Sequence, residues 1–382
     1  MTSRFSATYR LRADPSAVDA RAATIAVEQS VEMPLAAIDA PRILAEVVGR
    51  VEQVVDRGGA VFDVRIGLAV ETVAGDAGQL LNMLFGNTSL HPDVTLVDVD
   101  IPPTMAAGFG GPRVGVAGLR AWLGAAGRAL TASALKPQGL APEALAALAF
   151  RFAAGGIDLV KDDHGLADQA QAPFAARVPA CAEAVRRAAA ATGHPTLYAP
   201  SLAGHYGQMR AQLRLAREAG VRAALIAPMI AGFATFQALR AEFPDILFLA
   251  HPSLGGATRI APEVLIGRLF PLVGADAVIF PGYGGRFGYS TATCRRIAEA
   301  ARGAPGGRGA AMPVPAGGMT VARVPELLDF YGPDTMLLIG GSLLSAGAGL
   351  TSATAGFVHA VARSAPRPAA AAPVRSEEGP PS

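Results

Sequence analysis

Apolar and polar residues alternate along residues 4–11, with Phe5, Ala7, Tyr9 and Leu11 on one side, which predicts a half-buried β-strand. Asp14 and Ser16 offer caps for a helix running to about Ser30, with Pro15 near its first turn. Residues 44–55 and 60–73 read as two further strands around Arg57-Gly58-Gly59. Asp76 opens a short helix ending at Phe85-Gly86-Asn87, and Val94 to Asp100 alternates again. Strands mixed with helices in this way predict a small α+β domain over residues 1–110, followed by a linker over 111–127.

The pattern then changes. Short continuous apolar runs at 129–135, 157–161, 196–201, 223–228, 246–250, 277–280, 312–315 and 336–339 are separated by helical periodicity. The helices are expected at 141–154, 174–192, 206–219, 234–242, 263–272, 290–302, 322–331 and 346–362. Strands that are apolar on both faces belong in a buried parallel sheet. Eight such units over 128–363 fit a closed (β/α)₈ barrel better than an open sheet. Residues 364–382 are Pro/Ala-rich and then acidic, and are expected to form a disordered tail.

Composition narrows the function. Of 382 residues 51% are hydrophobic and 17% charged, enough for a large core. A net charge of +2, with no basic block interleaved with aromatics, gives no case for nucleic acid. Cys181 and Cys294 match no metal or redox spacing. With no apolar signal region and no membrane-length apolar run, a soluble cytoplasmic protein is expected.

Barrel active sites lie at the C-terminal strand ends, and those ends are chemically uneven. The second run breaks into Lys161-Asp162-Asp163-His164. In an extended segment Lys161 and Asp163 point one way and Asp162 the other, while His164 can turn back over the strand end. Such a cluster is costly unless a metal, a carbamate or a substrate fills its middle, although a solvated loop with an internal ion pair is the plainer reading. The first run ends in Lys136. A desolvated lysine beside another cation loses proton affinity and can act as a base or take up CO₂. His251 follows the fifth run, and Arg286 stands in the glycine loop after the sixth. Ala316-Gly317-Gly318 and Gly340-Gly341-Ser342 follow the last two, where barrels build phosphate cradles from backbone N–H groups. With 44 glycines in the chain a single pair carries little weight, and only their joint placement does.

Taken in order, Gly155-Gly156-Ile157-Asp158-Leu159-Val160-Lys161-Asp162-Asp163, Leu135-Lys136-Pro137 upstream and the residues after strands five to eight resemble the ribulose-bisphosphate carboxylase large-chain superfamily. The resemblance implies an α/β fold, a TIM barrel preceded by a ferredoxin-like α+β domain. It implies Mg²⁺ held by a carbamate on Lys161 together with Asp163 and His164, and Lys136 as the acid/base lysine. It also implies backbone phosphate binding at Gly318, Gly340 and Gly341. Glu28 and Asn87 resemble residues that reach the partner subunit's site, so a homodimer with sites at its interface is expected.

The departures point to the RuBisCO-like proteins of this superfamily. His164 stands for the usual glutamate ligand, Gln138 for a second lysine, Pro252 for an arginine, and Val278-Ile279-Phe280 where a phosphate-gripping histidine is usual. Arg286 at best replaces the lysine of the closing loop. A bisphosphate would miss charge-assisted hydrogen bonds, so CO₂ fixation is not expected. The resemblance inclines towards decarboxylation or transcarboxylation of 3-oxo-isoapionate 4-phosphate. The alternative is isomerisation or enolisation of a methylthio sugar phosphate in methionine salvage. A non-catalytic sugar-phosphate-binding protein is the reading from another class.

Overall fold

The computed structural model describes residues 3–303 and 309–364. Four antiparallel strands come first: β1 (Arg4–Arg12), β2 (Arg50–Gly58), β3 (Val61–Ala69) and β4 (Val94–Asp100), in sheet order β2-β3-β1-β4. The alternation read from β1 holds, since Phe5, Ala7, Tyr9 and Leu11 are all buried. They belong to one apolar cluster with Ile25 and Leu84, from helices Val18–Glu28 and Ala77–Phe85. Asp76 caps the second helix by accepting from Gln79 N.

Two local expectations fail. Asp14 does not cap the first helix. Its carboxylate instead accepts from Ser16 N and Oγ at 2.8 and 2.6 Å, and the helix begins only at Val18. Residues 43–47 form a wide helical turn rather than the start of a strand. The guanidinium of Arg4 gathers the Glu46 and Val48 carbonyls there, so the chain turns before β2 begins.

Eight parallel strands follow: β5 (Leu130–Leu135), β6 (Leu159–Asp162), β7 (Leu197–Ala199), β8 (Ala223–Ile226), β9 (Leu247–Ala250), β10 (Ala277–Pro281), β11 (Met312–Ala316) and β12 (Met336–Leu338). They pair in the runs β12-β5-β6-β7 and β8-β9-β10-β11. A bridge between Ser201 and Leu225 and the packing of β11 on β12 close the ring. Leu130, Leu159, Leu225, Leu247, Leu249, Met312, Val314 and Met336 fill the barrel interior. Alternate residues such as Val160, Phe248, Val278 and Leu337 face the surrounding helices.

The segment expected as a bare linker carries a helix, Gly115–Leu123, whose Leu119 and Leu123 join the interior cluster. Asp276, fully buried, accepts from the backbone N–H groups of Arg113, Val114 and Gly115, from Phe248 N, and from Arg240. Cys181 and Cys294 are free and buried. Among the described residues no helix is long and apolar enough to cross a membrane. Of the expected tail, residues 365–382 lie outside the described residues.

Candidate active site

A cavity of about 930 Å³ opens at the C-terminal ends of the barrel strands. Its lining includes Lys136 after β5, Lys161, Asp163 and His164 from β6 and its loop, and His251 after β9. Arg286 after β10, Ala316, Gly317 and Gly318 after β11, and Gly340, Gly341 and Ser342 after β12 complete the ring of expected residues. Residues scattered over more than half the chain meet because a parallel barrel places every strand's C-terminal end on one face.

Alternation along β6 divides the acidic cluster as expected. Lys161 and Asp163 line the cavity, whereas Asp162 is buried on the other face. Lys136 Nζ lies 2.6 Å from Asp163 Oδ2, and His164 Nδ1 lies 3.3 Å from Asp163 Oδ1. Burial alone would raise the Asp163 carboxyl. His164, Lys136 and Lys161 outweigh it and hold that group well below the usual carboxylate range. Lys161 is only 3% exposed and donates to the Asp162 carbonyl at 2.9 Å. Burial, with the charge of Lys136, lowers its pKa to about 8 against the pull of Asp163.

The imidazoles of His164 and His251 stack with centroids 4.4 Å apart and planes 8° from parallel. Burial, then Lys161 and His164, bring His251 down to about 3, so its ring is neutral near pH 7. Ser253 N donates to His251 Nδ1 at 3.2 Å, and Ser253 Oγ lies 2.7 Å from the same atom. Nδ1 is therefore an acceptor and the ring proton sits on Nε2. Ser253 carries no motif in the sequence, and only the turn after β9 brings it under the ring.

Gly317 and Gly318 adopt φ of +88° and +85°, a left-handed backbone that glycine tolerates. A Cβ on Gly318 would stand 2.9 Å from Arg286 N. Among the described residues the N–H groups of Gly317, Gly318, Gly340 and Gly341 donate to no protein acceptor, which leaves them for a ligand's oxygens. The lining also includes the apolar residues Pro252, Ile279, Met319 and Leu338. The glycine loop is rooted by Gly282 N on Ala316 O and by Arg323 on Tyr283 O, while the Arg286 guanidinium lies over the Phe287 ring.

Three residues fall outside this cavity. Glu28 and Asn87 meet each other instead, with Asn87 Nδ2 donating to Glu28 and Glu32 at 3.0 and 2.8 Å. Within one chain they do not join the barrel residues. Gln138, in place of a second lysine, lays its amide against the Cα of Gly165 and leaves the cavity without that cation.

Among the described residues no three His, Cys, Asp or Glu side chains form a metal-binding group. The donor set nevertheless fits a divalent ion once Lys161 supplies oxygen. An amine of pKa about 8 is partly neutral near pH 7 and can take up CO₂. A carbamate and the Asp163 carboxylate are the hard oxygens Mg²⁺ prefers, and the His164 nitrogen would extend tolerance towards Mn²⁺.

Comparison with known proteins places the chain among known relatives. The family of the ribulose bisphosphate carboxylase large chain, catalytic domain, matches residues 115–263. A 5-methylthioribulose-1-phosphate isomerase of Rhodospirillum rubrum is 58% identical over 347 residues, 91% of this chain and 93% of that protein. A 2,3-diketo-5-methylthiopentyl-1-phosphate enolase of Geobacillus thermodenitrificans is 33% identical over 317 residues, 78% of this chain and 76% of that protein. The crystal structure of a Rubisco-like protein from Rhodopseudomonas palustris superposes with a TM-score of 0.90 at 50% identity, covering 96% of this chain and 100% of that one.

Proposed function

The chain belongs to the ribulose bisphosphate carboxylase large-chain family, among its RuBisCO-like proteins, and from that premise we propose that it isomerises a methylthioribulose phosphate. The observation that carries this reading is a cavity with one glycine cradle and an apolar lining of Pro252, Ile279 and Leu338. One phosphate and one methylthio tail suit it. Among the lining cations Lys136 is paired with Asp163 and Lys161 is buried, which leaves Arg286 to meet a second phosphate. The relative from Rhodospirillum rubrum bears the isomerase name and that from Geobacillus thermodenitrificans an enolase name, both for methylthio sugar phosphates. The expectation of 3-oxo-isoapionate 4-phosphate therefore yields to its alternative.

Isomerisation of a ketose phosphate takes a proton from the hydroxyl-bearing carbon beside the carbonyl and returns one to the carbonyl carbon, while the hydroxyl proton passes to the old carbonyl oxygen. The free N–H groups of Gly317, Gly318, Gly340 and Gly341 anchor the phosphate and fix the distance from it to Lys136. Lys136 moves the proton, its Nζ held at the cavity mouth by Asp163. His251 keeps a proton on Nε2 and gives a substrate oxygen a hydrogen bond without carrying charge. Lys161 as a carbamate, Asp163 and His164 would hold Mg²⁺, which when bound stabilises negative charge on substrate oxygens. The apolar lining and buried strand ends exclude water from the sulfur end.

Glu28 and Asn87 lie apart from the cavity near exposed Met33, Leu35 and Leu90, a surface suited to a second copy. In this reading two chains pair, and each lends these residues to its partner's barrel.

The test supplies purified protein, Mg²⁺ and bicarbonate with 5-methylthioribulose 1-phosphate, 2,3-diketo-5-methylthiopentyl 1-phosphate, ribulose 1,5-bisphosphate and 3-oxo-isoapionate 4-phosphate. A product of unchanged mass from the first is expected by NMR and mass spectrometry. Carboxylation of the bisphosphate, CO₂ release from the keto acid, or turnover of the diketone alone would each overturn the reading. Binding without turnover would make the chain a sugar-phosphate-binding protein.

A further inference from the structure

We infer that Asp162 and Arg177 form a buried positioning pair that holds Lys161 and Asp163 in place at the divalent-ion site. The inference rests on the reading of Lys161 and Asp163 as that site, not on the identity of the sugar. Asp162 pairs in register with Leu135 on β5 and occupies the layer between strands and helices. Leu135, Val160, Ala224, Phe248, Val278 and Leu337 of that layer are apolar, while Tyr198 and Ser201 beside Asp162 are polar. Asp162 is fully buried there, as is Arg177 on the helix Phe174–Thr192 that packs over it; the layer's other buried Asp–Arg pair, Asp276 with Arg240, lies away from the cavity.

Their contacts join strand β6 to the residues after β7 and to the loop that follows His164. Arg177 Nε donates to Asp162 Oδ2 at 3.1 Å, Ser201 N donates to the same oxygen at 3.1 Å, and Tyr198 OH donates to Oδ1 at 2.8 Å. Arg177 Nη1 donates to Ala172 O at 2.5 Å and so ties down the loop that follows His164. The peptide of Asp162 in turn accepts from Lys161 Nζ at 2.9 Å. Pinning the side chain at three points fixes the backbone of the residue between Lys161 and Asp163. Those two side chains leave the strand on the opposite face, so their direction is set by that backbone.

Stability does not account for the pair. Arg177 Nη2 is buried without a hydrogen-bond partner among the described residues. An incompletely satisfied buried ion pair is commonly matched or bettered in stability by apolar side chains of similar volume. What such side chains cannot do is fix the strand end by directional bonds. Groups that orient metal ligands in this way are typically worth about 10–100-fold in metal affinity or activity.

The test compares the wild type with the double variant Asp162→Leu/Arg177→Met and the single variant Asp162→Asn. Thermal unfolding, Mn²⁺ affinity by calorimetry in bicarbonate, and kcat and KM with methylthioribulose phosphate are measured on each. The double variant is expected to unfold at or above the wild-type temperature while binding Mn²⁺ about 10–100-fold more weakly. Its kcat should fall with KM little changed. Asp162→Asn, whose one amide oxygen can still accept from Arg177 and Ser201 while its NH₂ loses the Tyr198 donor, should fold and lose several-fold in Mn²⁺ affinity. Wild-type affinity in either variant overturns the inference, and so does a double variant that loses fold and affinity together. A wild type that binds Mn²⁺ but leaves the sugar phosphate unchanged defeats the proposed substrate alone, and the weaker Mn²⁺ binding of the variants then still upholds the pair.

Discussion

Lys136 Nζ lies 2.6 Å from Asp163 Oδ2, so the lysine after β5 and the carboxylate after β6 share a charge-assisted hydrogen bond across the cavity mouth. The contact places the proposed proton carrier beside the proposed metal ligand. Replacing Lys136 by Met should lower turnover by about 10²–10⁴-fold, the usual worth of a positioned acid/base group. Phosphate-bearing substrates should still bind, because the glycine cradle is untouched. Steady-state kinetics with an independent binding measurement separates the two effects.

Gly318 stands at φ +85° with Arg286 N where its Cβ would go. Gly318→Ala should therefore strain the backbone by about 1–3 kcal/mol and displace the N–H groups of the cradle. KM for the phosphorylated substrate should rise at least tenfold. A wild-type KM would show that the phosphate sits elsewhere in the cavity.

Asn87 and Glu28 bond to each other outside the cavity, yet resemble residues that complete a partner's site. Glu28→Gln and Lys161→Ala, each inactive alone, should regain activity when mixed under conditions of subunit exchange. A hybrid dimer holds one site with both defects and one with neither. Inert mixtures despite demonstrated exchange would mean that each barrel works alone.

Asp158 lies buried at the opposite end of β6, away from the cavity. Burial would raise its carboxyl, but Arg128 at 2.6 Å and His194 prevail and hold it below the ordinary value. A carboxyl depressed in the folded state adds stability above its unfolded pKa near 4, and loses it as pH falls through the folded value. Asp158→Asn should cost about 2–3 kcal/mol at pH 7. Urea unfolding should find that difference shrinking below about pH 4.

The barrel was legible because its evidence is local. Each strand is a short apolar run, and its C-terminal end is marked where apolar residues give way to Lys136, Lys161, His251 or a glycine pair. Knowing only that parallel strands end on one face, the sequence already assembles most of the site. The division of Lys161 and Asp163 from Asp162 likewise follows from strand alternation alone.

What the sequence left open depends on contacts between distant segments. Arg177 reads as one more charge on an amphipathic helix until that helix packs over β6 and buries it on Asp162. Ser253 fixes the His251 proton only through the turn after β9. Asp14 looked like a helix cap and became a local turn instead, because Ser16 lies nearer than the helix start. The apolar part of the cavity exists only once Pro252, Ile279 and Leu338 come from separate strand ends to one place. Local pattern determined the elements and their order, since periodicity and chain ends act over a few residues. Packing decided the pairing of charges, the tautomer and the apolar lining, since those energies arise only where remote side chains leave water together.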